Sequence, residues 1–133
     1  MTTSAQDVAV PAQVAPKAAV ALLQVADVQR SISFYQKLGF EVGNKPLKND
    51  QGVTIFVWMH RGNAAQIMLT QTGQPLNSEA RGIMFYLYVT DMPAYREQII
   101  SRGVTVGEVT HPFWSPGGEF RVDDPDGWIW MVC

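Results

Sequence analysis

The amino-acid sequence predicts an α+β fold of two βαβββ modules that form a curved mixed sheet, with the helices outside and a concave ligand trough inside. Three observations carry this expectation. A strand that runs into a helix, with an aspartate cap and a glycine stop, occurs twice. The copies, Val25-Ala26-Asp27-Val28 and Val89-Thr90-Asp91-Met92, lie 64 residues apart. The cap-to-stop distance is twelve residues in both, from Asp27 to Gly39 and from Asp91 to Gly103. Either module alone exposes the sheet face opposite its helix, so two modules are expected side by side. A concavity between them is the default place for a ligand.

The elements follow in order. Residues 1–17 hold two prolines among Ala, Gln, Ser and Thr without helical or alternating period, which is the composition of a loosely ordered tail. Ala18 to Ala26 is a short apolar strand with Val20, Leu22, Leu23 and Val25. Asp27 caps a helix whose apolar face is Val28, Ile32, Tyr35 and Leu38, and Gly39 ends it. Phe40 to Val42, Thr54 to His60 and Ala65 to Thr70 read as strands, separated by the turn material Asn49-Asp50-Gln51-Gly52 and Arg61-Gly62-Asn63. In the second copy Ile83 to Val89 is a strand, Met92 to Arg102 a helix, and Val104 to Val109, Glu119 to Asp123 and Trp128 to Val132 the closing strands.

The chain of 133 residues, 47% hydrophobic and 17% charged, has room for one domain, residues 18–133, with module one at about 18–72 and module two at about 82–133. A formal charge of -2 gives no field to hold phosphate backbones, so nucleic acid is not an expected partner. No apolar run approaches a bilayer span and the N-terminus lacks the order of a signal peptide, so the expectation is a cytoplasmic protein without membrane contact. One cysteine, Cys133, and two histidines, His60 and His111, supply neither a disulfide nor a Cys- or His-rich metal site.

Two stretches are more specific: Val25-Ala26-Asp27 leading to Ser33-Phe34-Tyr35-Gln36-Lys37-Leu38-Gly39-Phe40, and Gly118-Glu119-Phe120-Arg121-Val122-Asp123-Asp124-Pro125-Asp126-Gly127. With the repeat, they resemble the vicinal oxygen chelate superfamily, which includes glyoxalase I, extradiol dioxygenases, fosfomycin-resistance enzymes and bleomycin-resistance proteins. The resemblance covers nearly all of the chain after the tail. It implies a divalent ion held by side chains from the first and last strands of each module, and it places those positions at Val20, Met68, Met84 and Met131. All four are apolar: a valine is no ligand, and a thioether is a soft, weak one suited to copper(I). No metal and no cofactor are therefore expected. Neither His60 nor His111 falls on these positions, and each is left as a spacer or a polar handle.

The same positions line the trough, and alternation adds Leu22, Gln24, Gln66, Tyr86, Tyr88 and Ile129 to those faces. The competing reading of the methionines is simple core. Phe113 and Trp114 stand on a loop between Pro112 and Pro116 that Gly117 and Gly118 make pliable, either as a lid that stacks on a ligand or as a cover for a sheet edge. Glu119 offers a negative contact to a basic ligand, or else a partner for Arg121. Trp128 and Trp130 share the opposite strand face and are expected in the core, whereas the face of Trp58 depends on an unknown strand register.

The candidate ligand-binding set is thus Val20, Gln24, Trp58, Met68, Met84, Tyr86, Tyr88, Phe113, Trp114, Glu119 and Met131, with no catalytic residue assigned. The leading expectation is a metal-independent protein that binds a drug-like aromatic or apolar small molecule, as bleomycin-resistance proteins do. The alternative is a lyase, isomerase or dioxygenase of the same superfamily with Glu119 or Asp123 as base. The resemblance also implies a homodimer.

Overall fold

The structure, a computed structural model, describes residues 11–43, 45–74 and 82–133. The first ten positions of the expected tail therefore lie outside the described residues, and within 11–17 the chain makes one 3-10 turn, Ala12–Val14. Module one contains β1 (Ala21–Val25), α1 (Val28–Lys37), β2 (Glu41–Val42), β3 (Leu47–Lys48), β4 (Thr54–Arg61) and β5 (Ala65–Gln71). Module two contains β6 (Met84–Leu87), α2 (Met92–Ser101), β7 (Phe120–Asp123) and β8 (Ile129–Val132).

Both helices begin and end as the repeat requires. The carboxylates of Asp27 and Asp91 accept from the Arg30 and Ala94 amides, at 3.2 and 3.1 Å, which satisfies donors that a helix start leaves open. Gly39 and Gly103 take φ of 101° and 90° just past the two helix ends, a left-handed conformation that a side chain would resist.

The strands form an α+β arrangement of two mixed sheets. Strand order is β1-β5-β4-β2 in the first, where β3 also pairs with β4, and β6-β8-β7 in the second. The module architecture repeats: β1 and β6 run parallel to β5 and β8, which run antiparallel to β4 and β7. The curved sheet expected from the repeat is thus divided, since no ladder joins the two sheets among the described residues.

The expected strand over 104–109 is also absent. Gly107 donates to the Arg121 carbonyl (2.8 Å), but its own carbonyl accepts from Arg96 Nη2 (2.8 Å), so the reciprocal bond that would continue a ladder is diverted to α2. Pairing resumes only at Thr110 and Glu119, whose amides and carbonyls bond each other at 2.9 Å.

A single core joins the modules. Leu23, Val25, Val57, Met59, Ile67 and Leu69 of the first sheet cluster with Phe120, Val122, Trp130 and Val132 of the second and with both helices. At its centre Trp130 meets Tyr35 and Phe40 edge-on, at 5.7 and 5.8 Å between ring centroids, and lies 4.8 Å from Phe85. Trp130 is core as expected, while Trp128 is only partly buried and donates to the Gln24 carbonyl (3.0 Å).

The Asp-Pro-Asp-Gly turn is a junction between modules as well as a chain reversal. Asp124 Oδ1 accepts from the Asp126 and Trp128 amides at 2.9 and 2.8 Å, and its Oδ2 accepts from the Tyr35 hydroxyl at 2.7 Å. Asp126 Oδ1 accepts from the Ala26 amide and from Arg30 Nη2, at 3.0 and 3.1 Å. Burial holds the Asp124 carboxyl above the usual carboxylate range, although its hydrogen bonds pull the other way. It also raises the Tyr35 hydroxyl well above the ordinary phenol range, with the Asp124 charge adding to the shift.

Candidate functional site

Strand alternation sends one face of each sheet into the core, and strand register decides which residues share the other. In the first sheet Leu22 pairs with Met68, and Met68 with Trp58, so the three form a row across β1, β5 and β4. Gln24, Thr70 and Phe56 form the next row, and His60 pairs with Gln66. In the second sheet Tyr86 pairs with Met131, and Met131 with Arg121. The two principal rows are counterparts under the repeat.

The unknown face of Trp58 is thereby decided: it stands beside Met68, with the His60 ring tilted against it at 5.6 Å. None of Val20, Met68, Met84 and Met131 is buried, which rules against the simple core reading. The expected site residues nevertheless fall into two groups. Val20, Gln24, Trp58 and Met68 belong to module one, while Met84, Tyr86, Tyr88, Phe113, Trp114, Glu119 and Met131 belong to module two. No hydrogen bond or ring contact links the groups among the described residues.

The second group is the more organised. Tyr86 on β6 and Tyr88 just past its end stack at 6.2 Å between centroids, with 29° between planes. Phe113 and Trp114 pack edge to face at 5.0 Å. Glu119 is 2% exposed and joins these pairs, since its Oε1 accepts from Trp114 Nε1 at 2.8 Å and its Oε2 from the Tyr86 hydroxyl at 3.2 Å. Arg121 instead pairs with Asp123 at 2.6 Å, so the expected alternative partner of Glu119 is engaged elsewhere. The two carboxylates considered as bases are accordingly both occupied.

The aromatic loop is more tightly held than its glycines suggest. Ser115 and Gly118 amides donate to the Pro112 and Ser115 carbonyls at 3.0 and 2.9 Å, and His111 Nδ1 lies 3.1 Å from the Pro116 carbonyl oxygen. Gly118 has a φ of 102°, and a Cβ there would stand 2.9 Å from Val109 and 3.0 Å from Met92. Glycine here lets the loop close onto Glu119. His111 is thus engaged within the loop, whereas His60 lies beside Trp58 on the first sheet. Arg121 was missing from the expected set, although its place opposite Met131 makes it the counterpart of Trp58 opposite Met68.

The pattern that defines the Glyoxalase/Bleomycin resistance protein/Dioxygenase superfamily matches residues 17–132. The chain belongs to this superfamily. Among solved structures similar to this superfamily member, a bleomycin-binding protein complexed with bleomycin is 18% identical, with a TM-score of 0.68 over 88% of this chain and 97% of that one. A bleomycin resistance determinant encoded on the transposon Tn5 is 18% identical, with a TM-score of 0.69 over 88% and 96%. The bleomycin-binding protein of Streptomyces verticillus, complexed with copper(II)-bleomycin, is 25% identical, with a TM-score of 0.65 over 90% and 96%. No curated protein matches this member of the superfamily.

The donor set of this superfamily member does not fit the divalent ion that the resemblance implies. Val20, Met68, Met84 and Met131 present no nitrogen or oxygen, and no group of three or more His, Cys, Asp or Glu side chains suited to a metal exists among the described residues. Among the same residues no helix is long and apolar enough to cross a membrane.

Proposed function

We propose that this protein binds an aromatic or apolar small molecule on the trough face, without a metal. The observation that carries the reading is the pair of register-matched rows, Leu22–Met68–Trp58 and Tyr86–Met131–Arg121, set on the sheet faces away from the core. Trp114 beside the second row provides a stacking surface. Thioether and aromatic groups at these positions suit burial and stacking rather than ion coordination. Solved neighbours described as bleomycin-binding support the same reading. Covering about 200 to 300 Å2 of apolar ligand surface supplies roughly 5 to 8 kcal/mol before the costs of association, so micromolar affinity is within reach once polar contacts are added.

Saturable quenching of tryptophan fluorescence by bleomycin or by members of a panel of planar compounds is the expected result. Trp114→Ala weakens that binding by about tenfold or more, the scale of one lost stacking contact. A flat response to the whole panel refutes the proposal.

The two half-sites belong to different sheets, and each leaves large apolar side chains in solvent, among them Leu22, Met84 and Tyr88. A homodimer that sets one chain's first module against its partner's second would cover both. Light scattering is expected to give twice the chain mass at micromolar concentration. A monomer mass held over about a hundredfold concentration range refutes the dimer.

A further inference from the structure

A cleft of about 470 Å3 opens where the two modules meet, away from the trough rows. Tyr95 and Gln98 of α2 stand on one side of it, and Ala64 and Ala65, where β5 begins, on another. Leu38 and Phe40, each 3% exposed, close it on the core side. No residue of the two trough rows lines it, and it shares only Tyr88 with the candidate set. Its volume falls within the range of about 300 to 1,000 Å3 usual for small-molecule sites.

The charge of this cleft is of one sign. Among the described residues its charged lining is Arg61 and Arg102, without Asp, Glu, Lys or His. Two positive charges facing one cavity are out of keeping with a chain whose net charge is -2. Arg102 is held in place, since its Nη1 donates to the Lys37 carbonyl at the end of α1 (3.0 Å). The Tyr95 hydroxyl donates to the neighbouring Leu38 carbonyl (2.5 Å), so α2 is fixed to α1 at two points beside the cleft. That bond uses one of the five N–H donors of the Arg102 guanidinium, leaving others to meet a ligand. Arg61 meets Glu41 at 3.3 Å, but the two side chains are 70% and 63% exposed. An ion pair in that setting contributes little, so Arg61 can exchange it for a better acceptor at small cost.

Apolar surface completes the site. Leu38, Phe40, Ala65, Leu87 and Val89 give the cavity a hydrocarbon lining next to the two guanidinium groups. A guanidinium presents its donors as a planar fork that matches the two oxygens of a carboxylate.

We infer that this cleft is a second ligand site and that it takes a small organic acid, with a compact apolar body against Leu38, Phe40 and Leu87 and its carboxylate between Arg61 and Arg102. The inference is independent of binding on the trough face, because the residues and the charge of the ligand both differ.

The test titrates cyclohexanecarboxylate and cyclohexanecarboxamide into the full chain at neutral pH and low salt, followed by methyl and amide NMR. The two probes share a shape, differ in charge and carry no aromatic ring to stack on Trp58 or Trp114. The carboxylate is expected to bind at least about tenfold more tightly than the amide. Its largest shift changes should fall at Leu38, Ala65 and Leu87, with little change at Met68 and Met131. Arg102→Gln and Arg61→Gln should each bring the preference to about threefold or less. Arg61 lies in solvent, so its variant reports on binding even if Arg102→Gln weakens the joint between the helices. Equal affinity for the two probes overturns the inference, and so does a preference that survives both substitutions. Shift changes confined to Met68 and Met131 would place the anion in the trough and also overturn it. Failure of the planar panel on the trough face, with the carboxylate still bound here, would refute the proposed function and leave this site standing.

Discussion

Replacing Trp130 with alanine is expected to lower folding stability by about 3 to 5 kcal/mol, the range for truncating a large buried aromatic. Trp130 is 4% exposed and sits where the modules meet, against Tyr35, Phe40 and Phe85. Its Nε1 also donates to the Tyr35 hydroxyl oxygen at 3.1 Å, so truncation removes a hydrogen bond along with the ring packing. Trp130→Phe keeps much of the packing and loses the hydrogen bond, and should cost less. Urea unfolding at fixed protein concentration measures both, with the transition midpoint falling and its slope unchanged if the unfolding stays two-state. A loss below about 1 kcal/mol for the alanine variant would show that the modules do not depend on this contact.

Asp124→Ala is expected to cost about 2 to 4 kcal/mol, because the Tyr35 hydroxyl and two backbone amides lose their acceptor in a buried setting. Asp124→Asn should be much milder. Its amide oxygen can keep both backbone donors, so that only the Tyr35 hydroxyl loses its acceptor. The isosteric pair also reports on ionisation. Burial raises the Asp124 carboxyl above its ordinary value of 3.8, so at intermediate pH the folded chain binds more proton than the unfolded one. The contribution to stability is complete below the unfolded pKa and is lost as pH rises through the folded value. Unfolding midpoints taken between about pH 4 and 7 should therefore decline more for the parent protein than for Asp124→Asn. Parallel profiles would mean that this carboxyl titrates alike in both states.

The repeat makes the helices and several strands legible. Asp27 and Asp91 cap their helices through a local hydrogen bond, and Gly39 and Gly103 stop them through a local dihedral. Such causes act within a few residues, so they are written in the chain itself. The same local argument failed for residues 104–109, because the competing interaction came from Arg96 on a packed helix. Phe113 and Trp114 were legible as a loop of aromatics, but the carboxylate that holds Trp114 required Glu119 to be seen from the side of Tyr86, 33 positions away.

Composition, repeat spacing and strand alternation by themselves determined two modules and their helix starts, and the family resemblance singled out Val20, Met68, Met84 and Met131, whose apolar character is plain from residue type. Each of these follows from residue type and near neighbours. Tertiary structure alone decided the face of Trp58, the division into two sheets, the partner of Arg121 and the burial of Glu119. Those depend on strand register and on which distant donor meets which acceptor. A shift of one residue in pairing would reverse every side chain of a strand while leaving its sequence pattern intact.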